Sequence, residues 1–170
     1  MKIDPSVKLS SLSKGGYARV ALALALAMNP TVLLLDEPTS GLDLFTRRDF
    51  LSGMVDLAGD GKTVLISSHN LSEVERIASQ VVFIDGGKIV LNQTMEDLKK
   101  RMVRLRQRGE PAFNLGALGK VLRQGKDGPW NEWIVLCHET SMLDPKHGFE
   151  PIGLEEVYEV VLGSREEVGT

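Results

Sequence analysis

Two adjacent carboxylates, Asp36 and Glu37, end the run Thr31-Val32-Leu33-Leu34-Leu35-Asp36-Glu37-Pro38. Four bulky aliphatics leading into two acids read as a buried strand that delivers both carboxylates to one edge of a sheet. There one acid can hold a magnesium ion while its neighbour polarises a water molecule, which is the equipment for cleaving a nucleoside triphosphate. The plainer reading, two acids capping the next turn, is weakened by their mutual repulsion at a buried edge unless a cation lies between them. Ser13 precedes Lys14-Gly15-Gly16 and an Ala/Leu-rich segment, so it reads as a helix cap, with Gly15 and Gly16 allowing the first amides to close on an anion. Gly61-Lys62-Thr63 imitates the end of a phosphate-binding G-x-x-x-x-G-K-S/T loop. Asp56 stands where the first glycine belongs, however, and Lys62-Thr63 enters a strand rather than a helix.

The elements that must position these groups follow from periodicity. Residues 17–28 predict an all-round apolar, buried helix that Asn29-Pro30 ends. Residues 31–36 predict a strand. Leu51, Met54, Val55 and Ala58 mark the inner face of a helix over 46–58, broken at Gly59-Asp60-Gly61. A strand follows over 63–67, then a helix with a Ser72/Glu75 capping box. Residues 81–84 predict a third strand that Asp85-Gly86-Gly87 turns back into Lys88 to Leu91. Strands alternating with helices imply a parallel sheet, whose ligands sit beyond the carboxyl ends of the strands. Asp36-Glu37 and Ser67-Ser68-His69 both fall at such ends. Beyond residue 94 the pattern changes. Thr94 caps a basic helix of about a dozen residues ending near Leu105. Strands are expected at 119–124 and 131–137, and a short helix over Leu154 to Leu162. The domain reading is therefore 1–94 for the α/β part and 95–170 for a small α+β appendage. In it, Lys99, Lys100, Arg101, Arg104, Arg106 and Arg108 read as a solvated helix face and its exit, Trp130 and Trp133 as packing residues, and His138 and His147 as lacking metal-ligand spacing.

Composition narrows the class. The 170 residues, 42% hydrophobic, suffice for a real core, and the net charge of -3 argues against a general nucleic-acid binder. A single cysteine, Cys137, excludes a disulfide framework and fits a reducing compartment. The longest apolar run, Val20 to Met28, is too short to span a bilayer, and no secretory leader opens the chain. A soluble, cytoplasmic protein is expected, with any membrane contact made through a partner.

With these pieces placed, the sequence resembles the ATP-binding cassette (ABC) ATPases that drive transporters. Leu12-Ser13-Lys14-Gly15-Gly16 followed by Arg19 is similar to the signature motif, with Lys14 where the family usually has its first glycine and Gly16 where it often has glutamine. Val32 to Glu37 resembles Walker B, Ser40-Gly41-Leu42-Asp43 the D-loop, and His69 the switch histidine. The resemblance covers residues 9 to about 92 and implies a P-loop NTPase-like α/β fold, with ATP and Mg²⁺ as cofactors. It makes Asp36 the metal ligand, Glu37 the general base and His69 a partner of the γ-phosphate. It further implies that Ser13, Gly15 and Gly16 face the γ-phosphate held by an opposite subunit, in a homodimer or heterodimer of cassettes, with Asp43 reaching across that interface while also capping its own helix. A transmembrane permease would be the partner, placing the chain on the inner face of the cell membrane. The run Gly153-Leu154-Glu155-Glu156-Val157-Tyr158 is similar to the tail of cassettes serving separate export permeases.

No G-x-x-x-x-G-K-S/T loop, adenine-stacking aromatic or glutamine loop accompanies these motifs in the 170 residues. The expectation is therefore the C-terminal portion of a cassette plus its tail, inactive by itself and with an apolar sheet edge left unpaired. Two other readings stand beside the transporter motor: a permease-free cassette ATPase of translation or DNA repair, and a non-enzymatic truncated remnant or regulatory fragment.

Overall fold

The computed structural model describes residues 8–111, 113–138 and 148–166. The chain divides into two compact units, Met1–Asn70 and Leu71–Thr170.

The first unit holds α1 (Lys14–Ala27), β1 (Val32–Asp36), α2 (Leu44–Gly59) and β2 (Thr63–Ser67). Its two strands pair in parallel, from Val32 opposite Thr63 to Asp36 opposite Ser67. A parallel pair needs a crossover, and α2 supplies it. Asn29, at φ 50°, ends α1 in a left-handed turn. The inner face of α2 differs from the expected stripe. Thr46, Phe50, Leu51 and Met54 are buried, whereas Val55 is 47% exposed. The stripe starts at Thr46 because that hydroxyl is satisfied within the protein, donating to Asp43 Oδ2 at 2.6 Å and accepting from Arg19 at 2.9 Å. Lys62, of the false phosphate loop, spends its ammonium on Asn29 Oδ1 (2.7 Å) and the Pro30 carbonyl (2.9 Å), locking the two turns that precede β1 and β2.

The second unit contains α3 (Leu71–Ile77), β3 (Gln80–Asp85), β4 (Lys88–Thr94), α4 (Met95–Arg101), β5 (Met102–Gln107), α5 (Leu115–Leu118), β6 (Gly119–Asp127), β7 (Trp130–Cys137), β8 (Phe149–Pro151) and α6 (Leu154–Glu166). β3 and β4 form the expected hairpin, antiparallel, with Gly86 and Gly87 at φ 53° and 75° supplying the left-handed turn that Asp-Gly-Gly favours. Strand 81–84 thus takes an antiparallel partner, β4. A four-stranded antiparallel sheet follows in the order β6-β7-β5-β8.

Three expectations are corrected here. The basic helix stops at Arg101, and Met102 to Gln107 become a central strand. Met102, Val103 and Leu105 are buried by β7 and β8 on either side, and this tertiary pairing overrides the helix propensity of a Lys/Arg/Leu-rich run. Arg104 is consequently half-buried rather than part of a solvated face, while Arg106 stays exposed. Arg104 pairs with Glu156 and Glu132, Arg106 with Asp127. Ser72 lies inside α3, which begins at Leu71, so it is not the cap of a box with Glu75. The Glu75 Oε2 accepts from the Leu154 N–H at 3.0 Å and so caps α6 from another helix. Trp133 is buried as expected, whereas Trp130 is half-buried under the Arg108 guanidinium, 5.1 Å from its ring. His138 is exposed; His147 lies outside the described residues.

The compact division falls before residue 94 because Val81 and Phe83 share one apolar core with Met95, Leu98, Ile134 and Val157. A second core, on the other face of the sheet, gathers Val103, Leu105, Trp133, Val135 and Cys137. Burial raises the Cys137 thiol above its ordinary range, so it behaves as a small core hydrophobe.

Candidate nucleotide site

The parallel register brings Asp36 and Ser67 level at the ends of their strands. The Ser67 hydroxyl donates to Asp36 Oδ1 and accepts from the Glu37 N–H at 3.1 Å, so one side chain fastens both acids. Glu37 sits at φ 43°, a left-handed conformation unusual for a residue with a side chain. Strain of this kind persists where the surroundings over-determine it. Here the Glu37 N–H also donates to the Ser67 carbonyl, and the Glu37 carbonyl accepts from Ser40 N–H, each at 3.1 Å. The kink turns Glu37 out of line with the strand and onto His69, whose Nδ1 lies 2.9 Å from the carboxylate. His69 itself is 80% exposed and Glu37 37%, so the pair faces solvent on the imidazole side.

Asp36, Glu37 and His69 are therefore brought together, as their positions at the strand ends predict. Ser67 was visible only as part of a strand end. Its identity as the bridge comes from the register, and the signal would have been its pairing with Asp36. The donor set fits magnesium. An exposed carboxylate and a neighbouring hydroxyl offer oxygen, and this ion keeps several waters and takes phosphate oxygens besides. Among the described residues no group of three or more His, Cys, Asp or Glu could hold a metal unaided.

The other predicted residues form a second cluster. Ser13 Oγ accepts from the Gly16 N–H at 3.1 Å and caps α1. A side chain at Gly15 would meet Leu42 and Thr46, so this glycine lets α1 approach the loop before α2. Lys14 reaches over Gly41, where an added Cβ would lie 2.7 Å from its ammonium; Gly41 also has φ 72°. Asp43 caps α2, accepting from Phe45 N–H (3.1 Å) and Thr46 N–H (3.0 Å). The Thr46 hydroxyl, and then the Thr46 N–H, hold its carboxyl below the ordinary range. Arg19 joins this network through Thr46, a tie between α1 and α2 that no local pattern announces.

The class defined by this geometry is an α/β protein with paired acids and a histidine at the carboxyl ends of parallel strands. Comparison with known proteins finds the following similarities. Residues 4–75 match the family model described as "AAA domain, putative AbiEii toxin, Type IV TA system". The ABC transporter ATP-binding protein YtrB of Bacillus subtilis (strain 168) is 32% identical over 96% of this chain and 59% of its own length. The glutamine transport ATP-binding protein GlnQ of Escherichia coli (strain K12) is 48% identical over 47% of this chain and 33% of its own. A dimeric post-hydrolysis structure of the ATP-binding cassette MJ0796, bound to ADP and Pi, matches 51% of this chain and 37% of that one at 30% identity and a TM-score of 0.47. Over much of its length the chain is similar to ATP-binding proteins of ABC transporters. It spans between a third and three fifths of the length of the two relatives named.

Proposed function

We propose that the chain serves as part of the ATP-binding subunit of an ABC transporter, coupling Mg-ATP hydrolysis to export of a substrate through a separate transmembrane permease. The observation that carries this is the Glu37 carboxylate held 2.9 Å from His69 Nδ1, directly beside Asp36. Asp36, with the Ser67 hydroxyl, would hold Mg²⁺, which when bound neutralises charge on the phosphates. Glu37 takes the proton of the attacking water, and His69 orients that water and the terminal phosphate. The capped end of α1, with Ser13, Gly15 and Gly16, presents its amides to the triphosphate held by an opposing cassette, and Asp43 reaches across that interface. The export direction rests on the Gly153-to-Tyr158 tail, and in this reading residues 95–170 are the appendage of a cassette ending at 94. Among the described residues no helix is long and apolar enough to cross a membrane. In this reading, attachment to the cytoplasmic face of the membrane runs through the permease.

The test is ATP hydrolysis by the transporter recovered from its native membrane, with and without Glu37→Gln. Loss of a positioned base lowers turnover by roughly 10²–10⁴; unchanged turnover removes Glu37 from that role. Recovery of the tagged protein with ribosomes instead of a membrane protein overturns the transport assignment.

A further inference from the structure

A cavity of ≈ 320 Å³ opens in the second unit where β4, α4, β6, β7 and α6 converge. Its floor is apolar: Leu91, Leu122, Leu136 and Val161 line it, each only partly buried and packed on the edge of the larger core. Its rim is charged, with Arg101, Lys120 and Asp97.

The sheet register explains this composition. Lys120 stands opposite Leu136, and Leu136 opposite Met102, in one row across three strands. Residues directly opposed in antiparallel strands share a face, so Lys120 projects from the face that buries Met102 and Ile134. The ladder slips between Val121 and Arg123, leaving Leu122 as the extra residue of a bulge that turns toward the same cavity. Arg101 is anchored by its Nε, which donates to the Cys137 carbonyl at 2.9 Å. Among the described residues neither cation meets a carboxylate partner. Asp97 accepts from the Thr94 hydroxyl at 2.9 Å and leaves the rim with one positive charge in excess.

We propose that this cavity binds an amphiphilic monoanion, an aliphatic carboxylate. Its chain lies against Leu91, Leu122, Leu136 and Val161, and its headgroup sits between the free end of the Arg101 guanidinium and the Lys120 ammonium. The volume lies at the lower end of small-molecule sites, where an apolar floor and a few placed polar groups are the usual pattern. A single excess charge matches a carboxylate better than a doubly ionised phosphate. The competing account of Lys120 is an inward-facing charge that protects β6, an edge strand, from pairing with other chains. That account predicts no dependence of binding on ligand charge.

The proposal is independent of nucleotide chemistry and is tested on the 170-residue chain by calorimetric titration with octanoate near neutral pH. Saturable binding is expected, with octanol and acetate each at least about tenfold weaker, because each lacks one of the two interactions. Lys120→Gln, an exposed substitution that leaves the melt unchanged, weakens octanoate about tenfold and leaves octanol unaffected. Leu122→Trp, which fills the cavity, abolishes both. Octanoate and octanol binding alike, Lys120→Gln binding octanoate as the parent does, or no saturation with octanoate each overturns the assignment.

Discussion

At the scale of single residues, the first unit relies on short polar side chains that each serve two partners. Ser67 fastens Asp36 and the Glu37 amide; Thr46 receives Arg19 and gives to Asp43. Asp43 shows how such sharing appears in solution. Its ordinary pKa is 3.8, and the Thr46 hydroxyl and amide lower it in the folded chain. A carboxylate depressed on folding contributes fully above its unfolded value and loses that contribution as pH falls through the folded one. Asp43→Ala should therefore lower the melting temperature at neutral pH through loss of the α2 cap. The gap to the parent should narrow below about pH 3.8. A gap that stays constant down to pH 2 would show that the ionised form is not what Thr46 favours. Beside it, the Lys14 side chain covers Gly41, so its position serves the loop before α2.

Elements are where tertiary pairing decides. Gly119 opens β6 at an extended φ of 169°, so its need for glycine is not conformational. A Cβ there would meet the Leu136 carbonyl oxygen at 2.1 Å and the Cys137 Cα at 2.7 Å. Backbone cannot move aside as a side-chain end can. Gly119→Ala is expected to cost about 3 kcal/mol, the upper end of overpacking, read as a drop in the denaturation midpoint of the chain. An unchanged midpoint would mean that β6 can slide along β7 without loss. The contrast with Gly53 and Gly59, which have open space around them, makes either a suitable control. The same scale separates what was legible in the sequence from what was not. Strands 32–36 and 63–67, the Asp85-Gly86-Gly87 hairpin and the gathering of Asp36, Glu37 and His69 at strand ends follow from local runs and turn chemistry. The conversion of Met102 to Gln107 from helix to strand does not, because its cause is β7, β8 and two cores far along the chain. Nor does the partner of Glu75, which caps a helix 79 residues away. Local spacing cannot reveal a hydrogen bond whose other half depends on the fold.

At the scale of the whole chain, the two units differ in how completely they bury themselves. In the second, Met102, Leu105, Ile134, Val135, Leu154 and Val157 are at most 2% exposed, and two cores sandwich one sheet. In the first, Met54 at 3% is the most buried hydrophobe among the described residues, while Leu34 and Leu65, on neighbouring strands of the parallel pair, are 70% and 60% exposed. Parallel strands draw their stability from cover on both faces, and apolar burial contributes about 25 cal/mol per Å². The 170-residue chain is therefore expected to open from its first unit. Amide exchange in β1 and β2 should outpace that in β5 and β7, which report global unfolding. Nucleotide affinity should share this weakness. Under the proposed function, the groups that this chain could bring to its own triphosphate, chiefly Ser67 and His69, amount to a few charge-assisted bonds at about 1.5–3 kcal/mol each. Association costs an estimated 4–15 kcal/mol, so calorimetry of this chain with Mg-ATP should give no micromolar dissociation constant. The two measurements are linked. If β1 proves as protected as β7, the parallel pair is stable without further cover, and a preformed site with measurable affinity for Mg-ATP becomes the expectation instead.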